Sequence, residues 1–170
     1  MSVFSKMAPT EELLQREDNR LTIFPIRFPK IWDMYNKAVS TFWVPEEIDF
    51  SRDMDHWNVM TENEKYFIKH ILAFFSSSDT IVNMNIGERF INEVKILEAK
   101  FFYGFQEAIE NIHSHTYSLL IDTYIKDNDE KEKIFNAILH IPCIKQKADW
   151  CFKWINDQDA SFAQRLIAFA

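Results

Sequence analysis

The stretch EAIENIHSHTYSLL, residues 107–120, contains a glutamate, a histidine and a tyrosine at helical spacing in the middle of a longer, largely apolar segment. Glu110, His113 and Tyr117 follow one another at intervals of three and four residues, and side chains with this spacing share one face of a helix. Apolar residues surround them, which predicts that this face lies towards a protein core: Phe102, Phe105, Ile109, Ile112 and Leu119. A buried ionised carboxylate without a partner is costly, so such a group is paired, protonated or bound to metal.

A second carboxylate, Asp79, stands on an apolar face of the preceding predicted helix. For a lone buried histidine, the commonest interpretation is a core histidine bonded to a carboxylate, and Asp79 could pair with an arginine. Three features together favour a metal site over that interpretation: a Glu-x-x-His pair, a lone carboxylate one helix earlier and a tyrosine one turn later. Di-iron carboxylate bundles use two Glu-x-x-His helices and two helices with single carboxylates. This chain holds half of that set, and its oxygen and nitrogen donors suit iron or manganese.

Two other histidines are poorer ligand candidates. Asp53 and His56 also have the three-residue spacing, but they are predicted to be surface residues in a loop. His115 lies two places from His113, so it is predicted to point to a different face of the helix.

The composition predicts one all-α domain with long helices. Hydrophobic residues make up 47% of the 170 residues, and only two glycines are present, which leaves little turn chemistry for a sheet protein. The net charge is -7 with no basic stripe, so nucleic-acid binding is not expected. No run approaches the roughly 18 apolar residues of a membrane span. The two cysteines have no pairing pattern and are predicted to be free, buried thiols in a reducing cytosol.

Helix boundaries follow from the apolar period and from capping residues. A first helix is expected over residues 30–43, an irregular connection over 44–60, and a mobile arm over 1–20. Thr61 and Glu64 form a capping-box pattern before a helix that continues to about Asn92. A second long helix is expected from about Glu93 to Ile125, followed by a possible cap at Asp127, a break at Pro142 and a capped helix from Ser161.

Four longer segments carry a resemblance to a known family: FPIRFPKIWDMYNKAVSTFWVPEEIDFSRD (24–53), EKYFIKHILAFFSSSD (64–79), FYGFQEAIENIHSHTYSLLIDTYIKD (102–127) and PCIKQKADWCFKWI (142–155). From about Leu21 to Ala170 the chain resembles the small, radical-generating subunit of class I ribonucleotide reductase, of the eukaryotic and large-DNA-virus type. The resemblance implies a ferritin-like helical bundle, of which residues 21–170 would be the N-terminal part, truncated at the C-terminal end.

The resemblance also implies roles for individual residues. Asp79, Glu110 and His113 match three metal ligands of the family's di-iron site, where manganese is also possible. Tyr117 matches the tyrosine oxidised to a stable radical, and Trp43 matches the tryptophan that passes electrons towards the partner subunit. The implied function is to generate and store a tyrosyl radical for deoxyribonucleotide synthesis in the cytoplasm. The implied partners are the large subunit and a second small subunit, in a homodimer or heterodimer.

The match is incomplete in its ligands. Two further glutamates and a histidine of the family pattern are expected beyond Ala170, so the isolated chain is predicted to bind little iron and to be inactive as an enzyme. Met84 and His115 depart from many relatives, and both are interpreted as tolerated variation.

Three interpretations remain open on the sequence. The chain could be the N-terminal portion of a complete small subunit. It could instead be a naturally truncated or split, non-catalytic partner of an intact subunit or of a separate C-terminal chain. A different ferritin-like oxidase, in which two identical chains each give half of a symmetric site, is the third.

Overall fold

The computed structural model describes residues 11–15 and 20–170, and this part of the chain contains helices and no strand. The all-α prediction is therefore confirmed. None of the helices within the described residues is long and apolar enough to cross a membrane. The helices are α1 Pro29–Ser40, α2 Asp53–Val59, α3 Glu62–Asn85, α4 Ile91–Glu93, α5 Leu97–Tyr124, α6 Asn128–Phe135, α7 Ala137–His140, α8 Pro142–Asn156 and α9 Phe162–Phe169.

The predicted helix caps are present. The Thr61 hydroxyl accepts a hydrogen bond from the backbone N–H of Glu64, and the Glu64 carboxylate accepts one from the backbone N–H of Thr61 at 2.7 Å. Ser161 forms the same reciprocal pair at the start of α9. The Asp127 carboxylate accepts from the third residue of α6 at 2.7 Å. These caps satisfy backbone donors that the first helical turn leaves free.

Removal of the α3 cap is expected to lower stability. Thr61→Ala should reduce the free energy of unfolding by about 1 kcal/mol, because a backbone N–H loses its side-chain acceptor. The matched control is Thr80→Ala, an exposed position within the same helix, where alanine should be neutral or stabilise by a few tenths of a kcal/mol. Urea unfolding followed by circular dichroism measures both, and equal effects of the two substitutions would contradict the prediction.

The helical path continues beyond α3, as predicted. A π-helical segment, Ile86–Phe90, joins α3 to α4, and no proline interrupts it. Gly87 lies in this segment, and a Cβ atom there would stand 2.9 Å from Oε1 of Glu107 on α5. The glycine thus permits a close approach between the two long helical stretches.

The connection predicted to be irregular over residues 44–60 contains a helix, so that prediction is wrong in part. A short 3-10 turn covers Pro45–Glu47, and α2 covers Asp53–Val59. Trp57 on α2 is buried and stacks on Tyr124 of α5, with ring centroids 4.9 Å apart. A seven-residue helix gains little from its own hydrogen bonds, and this packing contact is the stabilising factor that the local sequence pattern does not show.

The long helices α3 and α5 pack against each other and position the polar face of α5. α1 packs on α5, while α6, α7 and α8 pack on α3. One buried cluster lies between α3, α5 and the α6–α8 region: Leu72, Ala73, Ile121, Ile125, Ile134, Ala137 and Ile144. A second lies near the π-helical segment, the start of α5 and α9: Ile86, Phe90, Val94, Ile96, Ala99, Tyr103 and Phe162.

The predicted mobile arm over residues 1–20 falls mostly outside the described residues, which omit 1–10 and 16–19. Within the described part, the carbonyl of Leu13 accepts a hydrogen bond from the backbone N–H of Lys95 at 2.8 Å. The Glu11 carboxylate accepts one from the backbone N–H of Ala163 at 2.8 Å. This short segment therefore contacts both the connection between α4 and α5 and the start of α9.

The two cysteines are free, as predicted, but they are not both buried. Cys143 is exposed and Cys151 is partly buried. Cys143 follows Pro142 in the first turn of α8, where the side chain lies at the surface, so its predicted burial is wrong.

Candidate metal centre

Three predicted ligand residues come together where α3 packs on α5. Asp79 lies on α3, and Glu110 and His113 lie one turn apart on α5. One potential ligand atom from each residue can be chosen so that all three atoms lie within 4.8 Å of one another. Helical spacing in the sequence predicted that Glu110 and His113 share one face, and the packing of α3 on α5 brings the third candidate, Asp79, beside them.

Asp79 is a buried carboxylate with an unsatisfied oxygen. The residue is 8% exposed, and its Oδ2 atom has no hydrogen-bond partner. Its Oδ1 atom accepts only a long hydrogen bond of 3.4 Å from the neighbouring Ser78 hydroxyl. Among the ion pairs of the described residues, none involves Asp79, so the alternative of an arginine partner finds no support there. A buried polar atom without a partner indicates a place for a group that binds it.

The protonation of Asp79 reflects this environment. Burial, and after it the negative charge of Glu110, raise the pKa of Asp79 from 3.8 to about 6. His113 and the Ser78 hydroxyl oppose the shift without cancelling it. Two carboxylates facing each other in an apolar setting are stabilised by a shared cation, which removes the repulsion between them.

Glu110 and His113 contact each other directly. Nδ1 of His113 and Oε2 of Glu110 lie 3.0 Å apart, a hydrogen bond that Nδ1 donates when it carries a proton. Both side chains are mostly buried, with 17% of the Glu110 side chain and 32% of the His113 side chain exposed. Two carboxylates and one imidazole form a donor set that suits iron or manganese, so these residues fit such a metal.

Tyr117 lies one turn beyond His113 on the same face of α5. Its ring stacks on Phe75 of α3, with centroids 5.4 Å apart and an interplanar angle of 13°. The ring also packs against the buried cluster around Leu72 and Ile121. Burial raises the pKa of Tyr117, and the nearby charges of Asp79 and Glu110 raise it further, so the phenol is neutral at physiological pH.

Trp43 reaches the same site from the segment after α1. Its ring stacks on the imidazole of His113, with centroids 5.7 Å apart and an interplanar angle of 29°. All five predicted site residues are therefore neighbours in the fold, although Trp43 is separated from His113 by 70 positions in the sequence. His115 is exposed and, as predicted, takes no part in the group.

Two features of this region were not identified from the sequence. Phe75 lies four residues before Asp79 on α3, and local spacing gave no sign of its stack on Tyr117. Asp53 was predicted to be a surface residue in a loop, whereas it lies on α2 and accepts a hydrogen bond from the Tyr124 hydroxyl at 2.6 Å. That contact joins residues 71 positions apart, which no local pattern predicts.

Comparison with known proteins gives consistent similarities. Residues 20–170 match the family described as "Ribonucleotide reductase, small chain". A ribonucleoside-diphosphate reductase small chain of Variola virus is 60% identical over 160 residues, which cover 94% of this chain and 50% of the viral protein. The ribonucleoside-diphosphate reductase subunit M2 of Danio rerio is 55% identical over 160 residues, covering 94% of this chain and 42% of the fish protein. The chain spans about half the length of the curated relatives it matches.

Solved structures agree with the fold. A ribonucleotide reductase Rnr4 homodimer from Saccharomyces cerevisiae superimposes with a TM-score of 0.79 at 35% identity, over 93% of this chain and 50% of the yeast chain. A dimanganese(II)-NrdF from Streptococcus sanguinis gives the same TM-score of 0.79 at 17% identity, over 89% of this chain and 53% of the bacterial chain. At that lower identity the likeness concerns the fold, which is the ferritin-like helical arrangement.

Proposed function

The chain belongs to the ribonucleotide reductase small-chain family, and from this premise we propose that it contributes one half of a two-metal, radical-generating centre. The observation that carries the proposal is the meeting of Asp79, Glu110 and His113, with an unsatisfied Asp79 oxygen at its centre. The whole activity would be the reduction of ribonucleoside diphosphates to deoxyribonucleotides. The large subunit would supply the nucleotide site, and the small subunits would act as a homodimer or heterodimer in the cytoplasm.

In this proposal Asp79, Glu110 and His113 hold metal, with iron as the expected element and manganese as the alternative. Bound metal would supply the one-electron oxidising power that a phenol needs to become a radical. Three ligand residues are too few for two ions, since bundles of this kind use four carboxylates and two histidines. The missing donors must therefore come from side chains other than these three.

Tyr117 is the proposed site of the radical. Its phenol is kept neutral by burial and by the adjacent carboxylates, so electron loss is accompanied by loss of the phenolic proton. The stacked ring of Phe75 and the apolar cluster exclude water from one side of the phenol. Exclusion of water protects a reactive intermediate from side reactions.

Trp43 is the proposed relay for electrons entering the site. Its indole lies against the His113 imidazole, which joins it to the ligand set through a direct ring contact. Trp43 is also partly exposed. Both features suit a group that passes an electron between the centre and a docked partner.

The proposal is tested in a chimera, because the isolated chain should form no tyrosyl radical with ferrous iron and oxygen. Residues 11–170 replace the aligned half of the Variola virus small chain, and the purified chimera receives ferrous iron and oxygen. Electron paramagnetic resonance should show a tyrosyl radical that disappears to background in Tyr117→Phe and in His113→Ala.

Matched substitutions on the same helix serve as controls. Tyr103→Phe removes another buried phenol of α5, and His115→Ala removes an exposed imidazole two residues from His113. Both variants should keep the signal. A folded chimera that binds iron but forms no radical dependent on Tyr117 would contradict the proposed function.

A further inference from the structure

A second tyrosine lies on the same face of α5 as Tyr117. Tyr124 follows Tyr117 by seven residues, or two helical turns, which corresponds to about 10 Å along the helix axis. Ile121, between them on this face, is fully buried, and both rings pack against the same apolar cluster. The space that separates the two phenols is therefore filled with protein rather than water.

The Tyr124 hydroxyl has a built-in proton acceptor. It donates a hydrogen bond of 2.6 Å to Oδ2 of Asp53 on α2. Burial, the hydrogen bond to Asp53 and the charge of Asp53 all raise the pKa of Tyr124, so the phenol holds its proton in the resting state. A phenol that loses an electron becomes strongly acidic, and a carboxylate already bonded to its oxygen can take the proton without any movement of the chain.

Aromatic stacking adds to this arrangement. The indole of Trp57 lies flat on the Tyr124 ring, with centroids 4.9 Å apart and an interplanar angle of 16°. The ammonium of Lys69 stands 6.0 Å from the Trp57 ring centroid. A cation near the indole disfavours positive charge on it. If the stacked Trp57 and Tyr124 rings lose one electron, the oxidised site is therefore expected to be Tyr124, next to the Asp53 carboxylate.

We propose that Tyr124, with Asp53 as its proton acceptor, is a second redox-active tyrosine of this chain. A one-electron oxidant removes one electron from the Tyr124 ring, and the phenolic proton moves from the Tyr124 oxygen to Oδ2 of Asp53. The products are a neutral Tyr124 phenoxyl radical and a protonated Asp53. The reverse transfer restores both groups when a reductant returns the electron.

The natural oxidant would be the Tyr117 radical, and this part of the inference rests on the proposed function. Reduction of the Tyr117 phenoxyl by Tyr124, together with uptake of one proton from water, restores the Tyr117 phenol. The number of electrons and protons is thereby conserved. When the Tyr117 radical is not used in the reaction, Tyr124 would reduce it and become the radical instead. Tyr124 lies close to helix α2.

A purely structural role is the competing explanation, because the same hydrogen bond also ties α2 to α5. The two roles differ in what Asp53→Asn does. The asparagine side chain still accepts a hydrogen bond from the Tyr124 hydroxyl, so a structural tie is largely kept. Its amide oxygen is a very weak base, so proton transfer is lost.

The test uses photo-oxidation of the full 170-residue chain, freed of metal with a chelator and carrying Tyr117→Phe. A photoexcited ruthenium tris-bipyridine complex with a sacrificial electron acceptor serves as the one-electron oxidant. Electron paramagnetic resonance of protein with ring-deuterated tyrosine identifies the tyrosyl radical. Neither metal nor Tyr117 takes part, so failure of this experiment leaves the proposed function untouched. Failure of the chimera removes only Tyr117 as the natural oxidant and leaves the Tyr124–Asp53 pair untouched.

The expected result is a tyrosyl signal that falls by about tenfold in Tyr124→Phe and in Asp53→Asn, a change in rate equivalent to about 1.4 kcal/mol in barrier height. Tyr103→Phe is the matched control. Tyr103 is also a buried phenol of α5 stacked on an aromatic ring, that of Phe90 at 5.5 Å. No carboxylate among the described residues accepts a hydrogen bond from its hydroxyl, so its replacement should leave the yield unchanged.

A second measurement avoids dependence on the folding of any Tyr124 or Asp53 variant. A nitroso spin trap is added during photo-oxidation of the chain with Asp53 and Tyr124 intact, and the adduct is located by peptide mass spectrometry. The adduct should be most abundant on the peptide that contains Tyr124. Equal trapping at Tyr103 and Tyr124, or an unchanged signal in a folded Asp53→Asn variant, would overturn the inference.

Discussion

Glu98→Ala should lower the free energy of unfolding by about 3–5 kcal/mol, the cost of removing one partner from a buried ion pair. Glu98 is completely buried at the start of α5. Its carboxylate accepts hydrogen bonds of 2.9 Å from both terminal nitrogens of Arg20 and one of 2.8 Å from the backbone N–H of Arg27. Without Glu98, the buried Arg20 guanidinium loses its negatively charged partner and the backbone N–H of Arg27 loses this acceptor.

The stability that Glu98 provides should depend on pH. Burial by itself would raise the pKa of this carboxyl, but the hydrogen bonds from Arg20 and from the backbone outweigh that effect and lower the pKa from 4.5 to about 2. A depressed pKa contributes stability above the unfolded-state value, and this contribution disappears as the pH falls. The difference between the wild type and Glu98→Ala should therefore shrink between about pH 4.5 and pH 2.

Glu62→Ala is the matched control for this experiment. Glu62 is an exposed carboxylate that pairs with Lys65, three residues away on α3. Exposed pairs of this kind contribute about 0.2–1 kcal/mol at most, so the substitution should have little effect at any pH. Urea unfolding monitored by circular dichroism across the pH range provides the comparison. Equal losses of unfolding free energy in the two variants would contradict the predicted contribution of the buried Glu98–Arg20 ion pair.

Asp79→Asn is expected to stabilise the metal-free chain and to abolish the proposed function. The pKa of Asp79 is raised from 3.8 to about 6 by burial and by Glu110, which means that its charged form destabilises the folded state. A raised pKa gives stability at low pH that is lost as the pH rises through the folded-state value. The difference between 3.8 and about 6 corresponds to roughly 2–3 kcal/mol at neutral pH.

Asp79→Asn should show directly how much the charged form of Asp79 destabilises the folded chain. After treatment with a chelator, Asp79→Asn should be more stable than the wild type by about 2 kcal/mol at pH 7, and the advantage should vanish below about pH 4. In the chimera, the same substitution should remove the tyrosyl signal, because the amide is a poor ligand for iron or manganese. Such opposite effects on stability and activity are typical of functional sites.

The control for Asp79→Asn is an exposed carboxylate of α5. The pKa of Asp122 is lowered, chiefly by its hydrogen bond with Lys131, so Asp122→Asn should give no gain in stability at neutral pH. Thermal unfolding of Asp79→Asn, Asp122→Asn and the wild type at pH 4 and pH 7 measures this difference in stability. A metal-free Asp79→Asn chain that is less stable than the wild type at pH 7 would contradict the argument from burial.

The features determined by the sequence alone are those that depend on residues a few positions apart. The capping box of Thr61 and Glu64 and the side-chain cap of Asp127 arise within three residues, so pattern and structure agree. The shared face of Glu110, His113 and Tyr117 follows from the helical repeat. The all-α class follows from the apolar period and the scarcity of glycine.

Contacts between segments that are distant in the chain were revealed only by the tertiary structure. Local patterns placed Asp79 and Glu110 on separate helices, and only the packing of α3 on α5 brings their oxygens to one point and leaves Oδ2 of Asp79 unsatisfied. The helix α2 was missed because its stability comes from the stack of Trp57 on Tyr124 rather than from its own seven residues. The physical reason is the same in each case: a contact across many residues depends on how helices pack, and local periodicity carries no information about that packing.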